Sequence, residues 1–315
     1  MFLECIMRMH SPGSWLYQSG TIWWLSDPSL VQQLPLPYRL FARYCAAKGP
    51  DPAGAELLLR GIIALERLRK SSQEAIIPLR VEDVTVYLDL QDPRFLRVPQ
   101  ELRVVPRVLG HFLRPGDTFI DGGANHGTFS IVASRLVGSE GLVISIEPQP
   151  RKSSLVRRLL AGGSARFEVH QIACGNRSDQ VAFYIPSATS GSAGLFPKFS
   201  AISQHSTIQV AMRRLDDVID WRRLPGRTFL KLDVEGSELD FLLGARQLIQ
   251  AVAPVLQIEV NPDAMQVAGR SKATLVKALH DLGYHRLVTP DDLTSQRPLA
   301  EEALERDVIA LPGSQ

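Results

Sequence analysis

The chain of 315 residues is 45% hydrophobic and 22% charged, with a formal net charge of +2. This composition is typical of a globular protein of one large or two modest domains and argues against disorder along the whole chain. The near balance of charge gives no support for a nucleic-acid partner or an anionic membrane, and three unclustered cysteines indicate neither a disulfide framework nor a zinc site. A cytoplasmic location is the default expectation.

The first fifty residues are aromatic, with Trp15, Trp23 and Trp24 close together. No stretch reaches the roughly 20 apolar residues of a membrane-spanning helix, so we expect no membrane span. We predict an N-terminal extension that packs its aromatic side chains onto the main domain. A lid over the substrate and a membrane-contacting segment are the alternatives.

Residues 52–75 carry leucines and isoleucines three and four apart, which predicts an amphipathic helix or helix pair. The stretch LRVEDVTVYLDL follows, and its alternation of Val84, Val86 and Leu88 with polar residues predicts a strand with one buried face. Residues 1–105 are therefore predicted to form a small α+β extension and cap. A small-residue loop at 187–194, SATSGSAG, is interpreted either as a mobile or ligand-held segment or as a surface connection.

From residue 106 to residue 315 the sequence alternates apolar strands with amphipathic helices. The predicted strands are TFID, GLVISIE, RFEVHQIA, TFLKLD and PVLQIEV, and SELDFLLGARQLIQ is a predicted helix. The basic stretch RKSSLVRR at 151–158 is interpreted as a solvated helix face. Such alternation predicts an α/β domain with an open, mostly parallel sheet, in which ligands bind at the carboxyl ends of the strands.

The stretch TFIDGGANHG at 118–127 predicts a buried strand, a tight glycine turn and the start of a helix. We expect this turn to expose backbone N–H groups toward an electron-rich ligand. The next strand ends in Glu147, where a carboxylate accepts hydrogen bonds from ribose hydroxyls.

The spacing of Gly122, Gly123 and Gly127 does not fit the dinucleotide pattern G-x-G-x-x-G. Asp121 would repel a pyrophosphate but would attract an amino-acid ammonium. A cofactor with an amino-acid tail and no phosphate therefore fits better than a nicotinamide dinucleotide.

Several ordered motifs are similar to those of the FkbM family of methyltransferases. They are DGGANHG at 121–127, EP at 147–148, IACGN at 172–176, RRLDDVID at 213–220, LKLDVEGSELDFLLGA at 230–245 and VLQIEV at 255–260. The resemblance implies S-adenosylmethionine as the cofactor. It also implies a class I methyltransferase (Rossmann-like) fold of about seven strands with an antiparallel last strand, closed by YHRLV and DVIALP. Family members mostly methylate hydroxyl groups, so the implied acceptor is a small metabolite, a sugar or a glycan.

The resemblance also implies roles for individual residues. The methionine-binding turn would comprise Asp121, Gly123, Asn125 and Gly127. Glu147 would hold the ribose hydroxyls and Ala173 would lie against the adenine ring. Gly122 and His126 depart from the commonest family pattern. We interpret Gly122 as a tolerated loss of packing, and His126 is a candidate base.

Methyl transfer to a hydroxyl needs alignment and a base, since the sulfonium is already an activated leaving group. Asp233 ends its strand at the cofactor edge and is the main candidate, whereas Glu235 and Glu238 are predicted in the first turn of the next helix. Asp233 and Glu259 would be the ligands if a divalent metal is used. A protein or amine acceptor and a non-catalytic cofactor-binding protein are the alternative functions.

Overall fold

The computed structural model describes residues 25, 27–48, 55–69, 74–186, 190–197, 205–304 and 307–313. The chain divides into two compact units, 1–104 and 105–315. The prediction for Trp15, Trp23 and Trp24 falls outside the described residues. Among the described helices, none has the length and apolar character needed to cross a membrane.

The first unit contains helices followed by a β-hairpin. Its elements are α1 (Pro28–Val31), α2 (Leu36–Lys48), α3 (Ala55–Arg69), β1 (Ile76–Val81), β2 (Val84–Asp89) and a 3₁₀-helix (Pro93–Arg97), and α4 (Val98–Phe112) crosses into the second unit. β1 and β2 pair antiparallel, so the predicted single strand is two strands around a turn in which Glu82 has a φ of 54°. The Tyr38 hydroxyl donates to the Leu90 carbonyl over 2.9 Å and ties the helices to the hairpin.

The second unit is the predicted alternation of strands and helices. The strands are β3 (Thr118–Gly122), β4 (Leu142–Ile146), β5 (Arg166–His170), β6 (Ala173–Cys174), β7 (Asp179–Pro186), β8 (His205–Arg213), β9 (Thr228–Leu232), β10 (Val255–Ile258), β11 (Tyr284–Val288), β12 (Arg297–Pro298) and β13 (Val308–Pro312). The helices are α5 (Thr128–Val137), α6 (Pro150–Leu160), α7 (Leu215–Val218), α8 (Glu238–Gly244), α9 (Arg246–Val252), α10 (Pro262–Val267) and α11 (Lys272–Asp281).

Eight strands form one sheet in the order β12-β11-β13-β10-β9-β3-β4-β5. β13 runs antiparallel between β10 and β11, as the expected class I fold requires, and the two-residue β12 is one strand more than predicted. The chain moves outward from β3 to β5 and then returns to β9 beside β3. The strand order therefore reverses between β3 and β9, which is where ligands bind in open α/β sheets.

Two further features differ from the sequence-based expectation. A small sheet of order β6-β8-β7 follows β5. The single helix expected over 237–250 is two helices, since Ala245 has a φ of −110° and Asp216 caps the second helix by accepting from the Gln247 and Leu248 amides at 3.0 and 2.9 Å. The side chain of Asp216 thus favours a new helix start over continuation.

Candidate functional site

Asp121 and Lys231 meet where the strand order reverses. They are register partners on the parallel strands β3 and β9, and both are buried. The Lys231 Nζ atom lies 3.2 Å from Asp121 Oδ1, 3.4 Å from Asp233 Oδ2 and 3.3 Å from the Gly123 carbonyl oxygen. It also lies 4.9 Å from the centre of the Phe129 ring, within the range of a cation–π contact.

The charge state of Lys231 follows from these neighbours. Burial by itself lowers the pKa of a lysine, but the carboxylates of Asp121 and Asp233 more than offset this effect, so that the pKa of Lys231 lies above its ordinary value. Lys231 is therefore a permanent ammonium between two carboxylates. A lone lysine in the apolar strand TFLKL was a signal for such a pair, because a buried charge needs a partner.

The second oxygen of Asp121 is bonded as well. Ser130 Oγ donates to Asp121 Oδ2 over 2.6 Å, and Ser145 Oγ lies 2.8 Å from Ser130 Oγ. Asp121 has no solvent-exposed surface. The position that an amino-acid ammonium was predicted to take beside this carboxylate is thus filled by Lys231.

The turn after β3 is tight because it packs against β9. A Cβ atom on Gly123, at a φ of 82°, would lie 2.0 Å from the Asp233 carbonyl oxygen. Gly122 is also required, which corrects the interpretation of a tolerated loss of packing: a Cβ there would lie 2.8 Å from the Phe241 ring. Asn125 has a φ of 49°, in the left-handed region that asparagine tolerates better than most residues.

The expectation of exposed backbone donors is wrong for most of this turn. The amides of Gly123 and Ala124 both donate to the Ile146 carbonyl over 3.0 Å, and that of Gly127 donates to the Ala124 carbonyl over 2.8 Å. The Asn125 amide donates to Glu147 Oε2 over 2.8 Å. These bonds hold the turn against the end of β4.

Glu147 is held in place by two amides. Its second oxygen, Oε1, accepts from the Gln149 amide over 2.9 Å, and the residue is 3% exposed. Burial raises the pKa of Glu147, and the two amides and Lys152 oppose this rise. A carboxylate can accept about four hydrogen bonds, so two lone-pair positions remain for a ligand.

His126 and Lys152 form a second buried contact near Glu147. Lys152 Nζ lies 2.9 Å from His126 Nε2, and both residues are buried. The interpretation of 151–158 as a solvated helix face is therefore wrong for Lys152. A lysine ammonium has only donors, so Nε2 is the acceptor and cannot take a proton while this contact holds.

Three carboxylates converge beside Lys231. One oxygen from each of Asp233, Glu235 and Glu259 lies within 4.8 Å of the others. Glu235 was predicted in the first turn of a helix, but it lies in a loop with a φ of 57°. The helix α8 begins at Glu238. The Glu238 carboxylate accepts from the Gly236 amide over 3.0 Å, as expected for an acid at a helix start.

Gly194 lies against the loop that contains Glu235. Gly194 pairs with Tyr184 through two backbone hydrogen bonds of 2.9 and 3.1 Å, and its Cβ position lies 3.3 Å from the Glu235 Cβ. Part of the predicted small-residue loop therefore lies next to the acidic cluster. Ala173 packs with Phe183 and Met212 in the small sheet, and its contact with adenine stays a prediction.

The chain is similar to several methyltransferase structures. Methyltransferase FkbM from Methylobacillus flagellatus is 18% identical with a TM-score of 0.37, over 89% of this chain and 72% of that chain. TYW2 from M. jannaschii, in complex with AdoMet, is 11% identical with a TM-score of 0.39, over 75% and 84%. A tRNA (uracil-54, C5)-methyltransferase from Pyrococcus abyssi, in complex with S-adenosyl-L-homocysteine, is 13% identical with a TM-score of 0.35, over 75% and 44%.

No curated protein sequence matches the chain significantly. The sequence model of the Methyltransferase FkbM domain matches residues 121–286, which is more than half of the chain and contains the glycine turn, Glu147 and the acidic cluster. The mostly parallel sheet with its antiparallel β13 agrees with the class I fold that the resemblance implies. The predicted resemblance is thus confirmed, and the chain belongs to the FkbM family of S-adenosylmethionine-dependent methyltransferases.

Proposed function

We propose that this protein transfers a methyl group from S-adenosylmethionine to a hydroxyl oxygen of a small metabolite, a sugar or a glycan. The observation that carries the proposal is the position of Asp233. Its side chain is 26% exposed at the carboxyl end of β9, and the ammonium of Lys231 lies beside it. It is a partly accessible carboxylate at the strand reversal, where a hydroxyl acceptor needs a base.

The residues around the turn fit the cofactor. Glu147 presents a carboxylate already oriented by two amides, which suits the two hydroxyls of a ribose. When bound, S-adenosylmethionine supplies a methyl carbon on a positively charged sulfur that leaves as a neutral thioether. Gly123, Asn125 and Gly127 are assigned to the backbone that borders the methionine end.

The reaction requires one proton to be removed from the acceptor. Asp233 would accept the hydroxyl proton of the acceptor, whose oxygen would receive the methyl group that the bound cofactor supplies. Lys231 is 4% exposed and so acts on the reaction through Asp233, which it contacts and orients. The Lys152 contact at Nε2 favours Asp233 over His126 as the base.

Asp121 has a supporting role in this proposal. Both of its oxygens are bonded inside the protein, to Ser130 and Lys231. We therefore assign it to the positioning of Lys231 and the turn, and through them to the methionine end of the cofactor. Direct contact with the cofactor ammonium would require Lys231 to move.

The test begins with calorimetric titration of S-adenosylmethionine and S-adenosylhomocysteine into the intact chain, the Glu147→Ala variant and the Glu168→Ala variant. Glu168 is an exposed glutamate on the adjacent strand β5 and serves as a matched control. We expect binding that is lost in Glu147→Ala and retained in Glu168→Ala. Absence of binding to the intact, folded chain would contradict the assignment.

The acceptor class is tested with methyl-labelled cofactor. The intact chain and Asp233→Asn are incubated with sugars and hydroxylated metabolites, with amines, and with peptides. Label in the hydroxyl compounds supports the proposal, and label only in amines or peptides favours the alternative acceptor class. Cofactor binding with no transfer to any class would favour a non-catalytic binding protein.

A further inference from the structure

Exposed apolar side chains are concentrated on two helices of the first unit. The described residues contain nine exposed large hydrophobic side chains, and six of them are leucines on α2 and α3: Leu36, Leu40, Leu57, Leu58, Leu65 and Leu68. Single exposed leucines need no explanation, but a contiguous exposed apolar surface marks an interaction site.

α3 is apolar on two opposite faces. One face is buried in the unit and contains Leu59, Ile62 and Ile63. On the other side, Leu57, Leu65 and Leu68 follow the spacing of one helix face, and the exposed fractions of Leu57 and Leu68 are 76% and 84%. A helix that needed only to cover its own unit would have polar residues there.

The charged side chains that are described as exposed beside this stripe are arginines. By helical spacing Arg60 and Arg67 lie along one border of the leucine stripe, where the Arg67 guanidinium donates to the Gln91 carbonyl, and Arg69 lies along the other. On α2 the exposed charged residues are Arg39 and Arg43. Among the side chains of α2 and α3 that are described as exposed, none is acidic.

This combination favours an anionic partner over a second copy of the chain. Two copies that met through these faces would bring like charges together, since the charged side chains described as exposed there are arginines. Protein interfaces are also enriched in aromatic anchors and hydrogen-bonding groups at their centre, whereas this stripe contains leucine, alanine and glycine. Leucine side chains can enter a lipid surface without matching side chains on a partner protein. Arginine side chains extend from the apolar layer to the headgroups.

We propose that the exposed face of α3, with that of α2, binds an anionic membrane surface as an interfacial amphipathic helix pair. The leucines enter the boundary between headgroups and acyl chains, and the flanking arginines contact the lipid phosphates. The inference concerns a peripheral contact and goes beyond the methyl-transfer site of the second unit.

The test is co-sedimentation of the full chain with vesicles of phosphatidylcholine alone or mixed with phosphatidylglycerol. We expect binding to the mixed vesicles that is weaker at about 1 M than at about 0.1 M salt, where the Debye length is about 3 and about 10 Å. Arg43→Gln and Arg69→Gln should each weaken the partition by about five-fold. The combination of Leu57→Gln, Leu65→Gln and Leu68→Gln should weaken it by about tenfold or more.

Leu243→Gln is the matched control, because Leu243 is an exposed leucine on α8 in the second unit, and it should leave partition unchanged. All variants are first checked by circular dichroism and by S-adenosylhomocysteine titration, and only folded variants are compared.

Three results would overturn the proposal. The first is a folded wild-type chain that stays in the supernatant with mixed vesicles. The second is equal binding to neutral vesicles. The third is self-association, or binding to polyglutamate in place of vesicles, that the triple leucine variant abolishes, since this face would then contact protein.

Discussion

Asp121 and Lys231 are 110 residues apart in the chain, yet they are register partners on neighbouring strands and form a buried ion pair of 3.2 Å. The pair lies at the reversal of strand order, and Lys231 links it to the partly exposed Asp233. One buried cation therefore connects the glycine turn on β3 with the candidate base at the end of β9.

Removal of the Lys231 ammonium should destabilise the fold strongly. In Lys231→Met the carboxylate of Asp121 stays buried without its ion-pair partner, and we expect a loss of about 3–5 kcal/mol in the free energy of unfolding. Urea denaturation measures this loss. Lys277→Met is the matched control, because its ion pair with Asp281 is exposed, and it should leave the free energy of unfolding nearly unchanged. Recovery of much of the loss in the Asp121→Asn, Lys231→Met double variant would identify the stranded charge as the cause, and no recovery would contradict it.

The glycine turn should not accept alanine. Gly123→Ala places a Cβ atom 2.0 Å from the Asp233 carbonyl oxygen at a φ of 82°. We expect a destabilisation of about 2–5 kcal/mol from strain and overpacking together, and loss of S-adenosylhomocysteine binding. Gly138→Ala is the control, since Gly138 also has a positive φ, 65°, but has nothing within 4 Å of its Cβ position. It should cost about 1–3 kcal/mol from backbone strain alone, and equal effects of the two variants would show that steric contact with Asp233 is unimportant.

Local patterns were sufficient to predict the strands and the turn of the site. TFID and TFLKLD are apolar runs ending in an acid, and the glycines mark the turn, so the positions of Asp121 and Asp233 at strand ends follow from short-range signals. The family motifs then predicted a sheet of about seven strands with an antiparallel last strand, which is β13 in the structure.

Long-range packing explains what was missed. Whether Lys231 faces Asp121 depends on the register of two strands that are distant in sequence. The requirement for Gly122 arises from the Phe241 ring, and the break in the helix at Ala245 arises from a cap by Asp216. The small sheet and the contact of Gly194 with Glu235 are likewise tertiary features without a local pattern.

Cofactor binding should depend on pH through Glu147. Its pKa is raised above the usual 4.5 by burial, and only the ionised carboxylate accepts bonds from both ribose hydroxyls. Affinity for S-adenosylhomocysteine should therefore fall as pH decreases through this raised pKa. Calorimetric titrations in a series of buffers of decreasing pH measure the effect. A pH-independent affinity would contradict the role of Glu147.

The stability of the protein without cofactor should rise, through Glu147, as pH decreases, whereas cofactor affinity should fall. A raised folded-state pKa means that the folded chain holds this proton more tightly than the unfolded chain. The contribution of Glu147 to the free energy of unfolding is fully present below its pKa in the unfolded chain. It is lost as pH rises through its pKa in the folded chain. Glu147→Gln should remove this component, which is measured as the difference between the pH profiles of the wild type and the variant. Identical pH profiles of stability for the two proteins would contradict a raised pKa of Glu147 in the folded chain.

Replacement of the candidate base should separate chemistry from binding. Asp233→Asn keeps the size of the side chain but removes its basicity, so we expect kcat to fall by about 10²–10⁴ with little change in cofactor affinity. Lys231 retains its pair with Asp121 in this variant, so the fold should persist. Asp263→Asn, an exposed acid at the start of α10, is the control and should leave kcat unchanged. A small effect of Asp233→Asn with a large effect of His126→Gln would move the base to His126.

The acidic cluster also predicts a divalent-cation site. The carboxylates of Asp233, Glu235 and Glu259 offer the oxygen donors that Mg²⁺ and Ca²⁺ prefer, but the ammonium of Lys231 lies 3.4 Å from Asp233 and opposes a second cation. We therefore expect weak binding, with a Kd of about 10⁻⁴–10⁻³ M. Calorimetric titration of Mg²⁺ and Ca²⁺ into chelator-treated chain measures it, with Glu235→Gln and Glu259→Gln as weakened variants and Asp263→Asn as the control. At a concentration of about 100 Kd, a bound ion should stabilise the fold by about 2.7 kcal/mol. No heat of binding and no stabilisation would assign the cluster to a polar cleft neutralised by Lys231 alone.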